Sequence, residues 1–176
     1  MPANRQDLLD CLTALEIAHE TVDHPPIFTV EEGRALKATM PGGHSKNLVL
    51  KDKRGDLFLA VAWADTRVDL VGLGKAVGAK GRLSFAKPDL MTATMGVIPG
   101  AVTPFALMND TASALKSVHL DRAFLDFDRI WFHPLENTAS TAVKPADLLK
   151  FMAHYGFDPK IMDLADPLGH TQDQTD

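Results

Sequence analysis

Helix and strand signals mix along the chain without a regular βαβ repeat, which predicts a mixed α/β (α+β) domain with a mixed β-sheet flanked by helices. The chain has 176 residues, of which 45% are hydrophobic and 23% charged. This length suits one domain with one core. We therefore expect a single compact domain over residues 1–165, followed by a polar C-terminal tail over residues 166–176.

Five segments carry the signals of a helix. Residues 4–17 have leucines at helical spacing, with acidic residues near the start where they suit the helix dipole. Thr29 and Glu32 have the spacing of a capping box, which opens a second helix. The predicted helices span residues 4–17, 29–37, 69–77, 145–155 and the stretch from 87 to a loop that begins at 96.

Short apolar or alternating runs predict the strands. Residues 47–50 and 57–63 flank a charged stretch that contains the turn at residues 53–56, which is the pattern of a β-hairpin. The other predicted strands are residues 19–24, 105–108, 118–120, 129–132 and 138–143.

A loop rich in glycine and proline lies at residues 96–107, with two residues of each type in twelve positions. Such a backbone can neither continue a helix nor pair along its length as a central strand. Glycine lets a ligand approach the main chain, so the loop can present chosen N–H groups to something small. The alternative is a tight turn between two core elements.

The charge distribution is uneven. The net charge is −5, yet the segment between Lys46 and Lys87 has nine basic residues and only four acidic ones. This segment could steer a polyanion to one face, or it could be a solvated face of lysines. The acidic remainder argues against a general nucleic-acid binder, so no DNA partner is expected.

The composition also predicts the compartment. No apolar run approaches the roughly 18 residues of a membrane span, and the first residues are polar. Cys11 is the single cysteine, which suits a reducing compartment. We expect a cytoplasmic protein without a membrane partner.

The usual catalytic motifs are missing from the sequence. It has no Gly-x-Ser-x-Gly elbow, no Cys-x-x-Cys, no His-Glu-x-x-His and no phosphate-binding Gly-x-x-x-x-Gly-Lys-Ser/Thr. The glycines at 72, 74 and 78 do not have the spacing of a dinucleotide site. We therefore expect no metal, no cofactor and no covalent mechanism. The remaining candidates are Lys46, the loop at residues 100–104 and His133.

Three stretches, residues 43–53, 100–107 and 131–139, closely resemble the YbaK/ProX family of aminoacyl-tRNA deacylases. Residues 23–32 resemble its free-standing prolyl-tRNA editing branch, called PrdX or ProXp-ala. The resemblance covers residues 4–160 in the family's order. It implies a single YbaK-like domain with a curved mixed sheet, no required metal, and hydrolysis of the ester in mischarged tRNA(Pro).

The resemblance also implies the site. Lys46, Gly100 and His133 match the family's catalytic lysine, loop glycine and histidine. The neighbouring motif residues are predicted to bind substrate: Ser45, Asn47, Ala101, Val102, Thr103 and Pro104. From the basic segment, the residues predicted to bind tRNA are Lys51, Lys53, Arg54, Lys80 and Arg82.

The chemistry of ester hydrolysis agrees with this assignment. Negative charge develops on the carbonyl oxygen, and backbone N–H groups of the loop are suitable donors for it. The ribose hydroxyl beside the ester can help to activate water, so a protein nucleophile is not required. Lys46 would hold the terminal phosphate, and His133 would order the ribose or the bound amino acid.

The sequence is compatible with several substrates and with two other classes of protein. The family's Pro-Phe-Gly-Leu is Pro-Phe-Ala-Leu here, with Ala106 in the third position, so 2-aminobutyrate, serine, threonine or cysteine compete with alanine as the residue removed. The partners expected are the acceptor end of mischarged tRNA(Pro) and prolyl-tRNA synthetase. A non-catalytic tRNA-binding module, or an accessory domain that binds a synthetase, are the competing classes.

Overall fold

The computed structural model describes residues 1–27 and 29–170, apart from the side chain of Val30. It confirms the five predicted helices. Their bounds are α1 Arg5–Ala14, α2 Val30–Lys37, α3 Leu70–Ala76, α4 Pro88–Met95 and α5 Pro145–His154. Phe28, in the motif at residues 23–32, and residues 171–176 of the predicted tail lie outside the described residues. None of the described helices has the length and apolar character needed to cross a membrane.

Within the described residues, eight strands form one mixed sheet with the order β1-β7-β6-β2-β3-β5-β8, and β4 pairs with β2 beside this path. The fold is thus the predicted mixed α/β type. The strands are β1 Glu20–Asp23, β2 Gly43–Lys51, β3 Leu57–Trp63, β4 Ser84–Phe85, β5 Leu115–Asp121, β6 Ile130–Phe132, β7 Ala139–Val143 and β8 Lys160–Met162.

Capping side chains begin the first two helices. The side-chain oxygen of Thr29 accepts a hydrogen bond from the Glu32 N–H at 3.1 Å, and the Glu32 carboxylate accepts from the Thr29 N–H at 3.3 Å. This confirms the predicted capping box. Asn4 and Asp7 form a second one at the start of α1.

Two local predictions are wrong. The strand predicted at residues 105–108 is a 3₁₀-helix, Pro104–Met108, because the Thr103 side chain accepts from the Phe105 N–H and Pro104 has the dihedral angle of a helix start. The first helix ends at Ala14 rather than at residue 17, since Glu16 has a φ of 57°.

The sheet has two apolar faces. One face packs on the main core, which includes side chains from α1, α4, α5 and the 3₁₀-helix. The other face carries two smaller clusters. One lies under α3 with Leu73 and Phe58, and one lies under α2 with Met40, Trp131 and the half-buried Leu36.

A gap in the sheet lies along one edge of β2. Residues 43 and 44 of β2 pair with β6, and residues 50 and 51 pair with β4 on the same edge, while β3 pairs along the opposite edge. In the described part of the chain, residues 45–48 therefore have no strand partner on this edge. The glycine-proline loop approaches this gap, because the side-chain amide of Asn47 donates to the Val102 carbonyl at 3.1 Å.

Candidate active site

A cavity of about 450 Å³ lies between α2 and the sheet, next to the gap in β2. Its α2 wall includes Gly33, Leu36 and Lys37, and its sheet wall includes Trp131, His133 and Ser140. This size is in the range of small-molecule sites in proteins.

His133 follows directly after β6 and faces this cavity. Its ring Nδ1 lies 3.0 Å from the Ala139 carbonyl oxygen, which can only accept, so Nδ1 carries the proton of the bond. Burial lowers the pKa of His133 below its ordinary value, and the nearby His24 lowers the pKa further. The bond to Ala139 raises the pKa and so opposes both effects in part. The neutral ring then has an unprotonated Nε2, which is bonded to no other described residue and can accept from a ligand.

Lys46 lies in β2 on the same face of the sheet as His44 and Trp131. Its Cα partner is Ala62, which belongs to the apolar cluster on that face, and directly opposed residues of antiparallel strands share a face. The parallel register between β2 and β6 pairs His44 with Trp131. This pairing ends at His44 and Trp131, so Lys46 and His133 follow it on the same face without being paired to each other, and His133 but not Lys46 lines the cavity.

Ser45 and Asn47 alternate to the opposite face of β2. The Ser45 hydroxyl donates to the Trp131 carbonyl at 3.0 Å and accepts from the Asn47 amide at 3.3 Å. The same amide donates to Val102, so this chain of hydrogen bonds ties β6, β2 and the loop together. Ser45 also borders the cavity, whereas Asn47 orients the loop.

The loop at residues 100–104 divides into a buried and an accessible part. Ala101, Thr103 and Pro104 are buried in the fold, while Gly100 is exposed and Val102 half-buried. The Ala101 N–H donates to the Ile98 carbonyl. The N–H groups of Gly100 and Val102 have no hydrogen-bond acceptor among the described residues, so they remain available to a ligand oxygen.

The loop meets the segment that follows His133. A Cβ atom added at Gly100 would lie 3.5 Å from the Asn137 side-chain nitrogen, which is an ordinary contact distance. Ala106 is fully buried in the main core, so its extra methyl group acts on packing behind the loop.

The predicted tRNA-binding residues cluster at the far end of β2. The carboxylate of Asp52 accepts from the N–H groups of Arg54, Asp56 and Lys80, at 2.8 to 3.0 Å, and thereby joins the hairpin turn to the loop after α3. These bonds, led by the one from Lys80, lower the pKa of Asp52. Lys53, Arg54, Lys80 and Arg82 are exposed and Lys51 is half-buried. Lys46 lies about 17 Å from Lys51 along the strand.

Sequence reasoning missed three residues of the cavity region: His24, Lys37 and Ser140. His24 and Ser140 are buried and hydrogen-bonded to each other at 2.8 Å. His24 belongs to the motif at residues 23–32 and Ser140 to the predicted strand 138–143, but neither position shows by itself that the two side chains meet.

The fold and this site define the class of a small mixed α/β domain with a cavity of apolar and polar side chains at the gap of its sheet. The family model of the aminoacyl-tRNA editing domain matches residues 24–151, and the chain belongs to this family. The expected resemblance to the YbaK/ProX family is confirmed, and the enzyme class is that of an aminoacyl-tRNA deacylase.

Similar proteins include the prolyl-tRNA synthetase associated domain-containing protein 1 of Mus musculus, 38% identical over 90% of this chain and 95% of that protein. The prolyl-tRNA editing protein ProX of Acetoanaerobium sticklandii is 29% identical over 91% of this chain and 97% of that protein. A solved structure described as a proposed trans-editing enzyme for prolyl-tRNA synthetase has a TM-score of 0.69 and 20% identity, covering 91% of this chain and 95% of that one, and it supports the fold.

Proposed function

We propose that this protein is a trans-editing hydrolase that removes the amino acid from mischarged tRNA(Pro), with alanyl-tRNA(Pro) as its main substrate. The observation that carries the proposal is that Lys46 lies in the unpaired stretch of β2, that His133 follows β6, and that the loop is bonded to Asn47 of the same stretch, in a chain that belongs to the editing family. The ProX relative is named for prolyl-tRNA editing, which supports tRNA(Pro) as the substrate class.

In the proposed reaction, water adds to the carbonyl carbon of the aminoacyl ester. The N–H groups of Gly100 and Val102 stabilise the negative charge that develops on the carbonyl oxygen. The ribose hydroxyl beside the ester assists the removal of a proton from the water. The bond between the carbonyl carbon and the ribose oxygen then breaks, the ribose oxygen takes the proton, and free amino acid and uncharged tRNA leave.

Lys46 and His133 hold the reacting end in this mechanism. The Lys46 ammonium binds the phosphate of the terminal nucleotide as a point charge. The unprotonated Nε2 of His133 accepts a hydrogen bond from a ribose hydroxyl and orients it. Both tasks need side chains that point to the same sheet face, and the alternation of β2 supports this.

The rigid loop selects the amino acid by exclusion. Preferential binding of one small side chain over another gives only about 1–3 kcal/mol per methylene. A wall that cannot move discriminates more strongly, because a larger side chain must clash with it. The burial of Ala101, Thr103 and Pro104, with Thr103 capping the 3₁₀-helix, supports a rigid wall.

The proposed partners are the acceptor end of tRNA(Pro) and prolyl-tRNA synthetase. The basic residues held together by Asp52 receive the RNA at a distance from the reacting end. The mouse relative is named as a synthetase-associated domain, which supports a synthetase partner. The cytoplasmic location and the domain boundary at residue 165 stay predictions.

The decisive assay incubates the purified protein with alanyl-, cysteinyl-, seryl- and prolyl-tRNA(Pro). We expect rapid release of alanine and slow or no release of proline. Hydrolysis of cysteinyl- or seryl-tRNA(Pro) in preference to alanyl-tRNA(Pro) would keep the editing class but change the substrate. If none of the mischarged tRNAs loses its amino acid, the proposed function is wrong.

Single substitutions test the assigned roles. We expect Lys46→Ala and His133→Ala to lower kcat/KM for alanyl-tRNA(Pro) by about 100-fold, since each removes a contact to the reacting end. Circular dichroism and thermal unfolding should show that both variants remain folded. Lys116→Ala is the matched control, because Lys116 lies on β5 in an exposed ion pair with Asp56. Full activity of both site variants would refute the assignment of these residues.

A non-catalytic tRNA-binding module is the second candidate, favoured by the basic cluster around Asp52. It predicts tRNA affinity that falls with salt concentration without any ester turnover. The same incubation distinguishes it from the editing enzyme when tRNA binding is measured in parallel.

A further inference from the structure

His24 and Ser140 form a hydrogen-bonded pair beside the cavity, and no step of the proposed mechanism uses this pair. His24 Nε2 lies 2.8 Å from the Ser140 hydroxyl, and His24 Nδ1 lies 2.9 Å from the Pro25 carbonyl oxygen. Both side chains are buried, and Ser140 borders the cavity. The His24 ring also lies 6.2 Å from the His133 ring, measured between centroids, so the pair is adjacent to the proposed site.

The partners of the His24 ring determine where its proton lies. The Pro25 carbonyl oxygen can only accept, so the proton of the neutral ring is on Nδ1. Nε2 of this tautomer has a lone pair and no hydrogen, and it must accept from Ser140. Ser140 therefore donates its single hydroxyl hydrogen to His24. Towards the cavity, the Ser140 oxygen can act only as a hydrogen-bond acceptor.

His133, like Ser140, is left as a hydrogen-bond acceptor at the wall of the cavity. Its Nδ1–H donates to the carbonyl of Ala139, the residue before Ser140, and its Nε2 is left as an acceptor. Ser140 and His133 both line the cavity, and each has its own hydrogen donated within the protein. While His133 accepts from the ribose hydroxyl, the Ser140 oxygen suits a ligand group with several N–H donors and a positive charge better than a carboxylate.

We infer that Ser140, held in this orientation by His24, binds the α-ammonium group of the aminoacyl moiety. This inference rests on the proposed function and adds a specificity-determining contact to it. An aminoacyl ester on tRNA carries a free α-amino group beside the ester carbonyl, whereas an N-acylated aminoacyl ester presents an amide in its place. Ser140 would therefore distinguish the two by the number and charge of their N–H donors, independently of the side chain.

The test compares alanyl-tRNA(Pro) with N-acetylalanyl-tRNA(Pro) as substrates of the wild-type protein and of Ser140→Ala. We expect the wild type to favour the alanyl form, and we expect Ser140→Ala to lower this preference by at least about ten-fold, because a hydrogen bond to a charged group is lost. The change should fall mainly on KM of the alanyl substrate. Ser140→Thr, which keeps the hydroxyl, should restore most of the preference.

Thr141→Val is the matched control. Thr141 is the next residue of β7, is fully buried, and makes an equivalent hydrogen bond between β1 and β7 to the Thr21 hydroxyl at 2.8 Å. Its alternation to the other face keeps it off the cavity wall. Thr141→Val should lower thermal stability without changing the ratio of the two substrates.

Two outcomes would overturn the inference. An equal loss for both substrates would mean that the pair is structural or that Ser140 acts as a nucleophile activated by His24, and trapping of an acylated Ser140 would identify the latter. No loss for either substrate would mean that Ser140 does not contact the ligand.

A binding measurement separates this inference from the proposed function. Calorimetry with a non-hydrolysable adenosine that carries alanine through a 3′-amide, and with its N-acetyl derivative, reports the α-ammonium contact without turnover. A wild-type preference for the free amine that is lost in Ser140→Ala supports the inference even if no tRNA is hydrolysed. Equal affinity of the wild type for both compounds would refute it, whatever the tRNA assay shows.

Discussion

Gly96 and Gly100 begin and end the first half of one loop, yet they have different physical roles. Gly96 has a φ of 72°, and a Cβ atom there would lie 2.7 Å from the Asn109 side chain, so glycine is required for the backbone and for packing. Gly100 has no positive φ, and a Cβ atom would meet Asn137 only at 3.5 Å. Its missing side chain leaves space beside an unbonded N–H group instead.

This difference predicts the result of placing the same methyl group at each position. Gly100→Ala should change Tm by no more than about 2 °C, but lower kcat/KM for alanyl-tRNA(Pro) by about ten-fold or more, since the methyl group occupies the approach to the oxyanion donors. Gly96→Ala should lower Tm by several degrees because of strain at positive φ. Thermal unfolding and deacylation kinetics on both variants check this. Unchanged kinetics in Gly100→Ala would remove Gly100 from the site.

At the level of elements, the β2–β3 hairpin and the loop after α3 form one basic unit because Asp52 connects them. Its carboxylate accepts three backbone N–H groups, and the aliphatic part of Lys53 packs over Gly81, where a Cβ atom would lie 2.6 Å from the Lys53 Cδ. A buried carboxylate thus positions the positive charges around it. The Lys53 N–H, which donates to the Lys80 carbonyl at 2.9 Å, and the β2–β4 pairing join the same two segments, so Asp52 strengthens a junction that these bonds also hold.

Two aspartates of the same turn provide a matched test of this unit. Asp52→Asn places an amide N–H where the Lys80 N–H needs an acceptor, so we expect a lower Tm and weaker tRNA binding at low salt. Asp56→Asn removes the same charge but loses only contacts near the surface with Lys116 and Arg54, and should bind tRNA at least as well as the wild type. Filter binding over a range of salt concentrations measures both. Equal binding by the two variants would contradict the role of Asp52.

At the level of the whole molecule, His119 sets a limit on stability in acid. It is fully buried in β5, its Nε2 bonds with the Ser117 hydroxyl at 2.7 Å, and its Nδ1 has no partner among the described residues. Burial, with Lys160 nearby, lowers the pKa of His119 to about 4. The folded protein therefore excludes a proton that the unfolded chain binds at an ordinary histidine pKa of about 6.5.

The sign of this linkage predicts the pH dependence of folding. The contribution of neutral His119 to the free energy of unfolding is fully present above pH 6.5. It is lost as the pH falls towards 4, which lowers the free energy of unfolding by up to about 3 kcal/mol. Urea unfolding between pH 7 and pH 4.5 should show the loss, and His119→Gln should reduce its slope. His154→Gln is the control, since His154 is exposed. An unchanged slope in His119→Gln would contradict the prediction.

Much of the fold was predictable because its signals are local. The Thr29–Glu32 capping box and the hairpin of β2 and β3 depend on residues close in sequence, and both are confirmed. The two-residue β4 and the three-residue β8 were not predicted, because strands this short have no periodicity and form only where a longer strand offers an edge. The 3₁₀-helix at Pro104–Met108 was mistaken for a strand, since a short apolar run does not distinguish the two.

The sequence alone identified the family and proposed Lys46, His133 and the loop, because motif residues keep their identity in any conformation. Only the tertiary structure determined that β2 alternates Lys46 towards one face and Asn47 towards the other. It also determined that His24 meets Ser140 across 116 positions of the chain. Such contacts come from strand register and burial, which depend on the packing of the whole domain and leave no local pattern in the sequence.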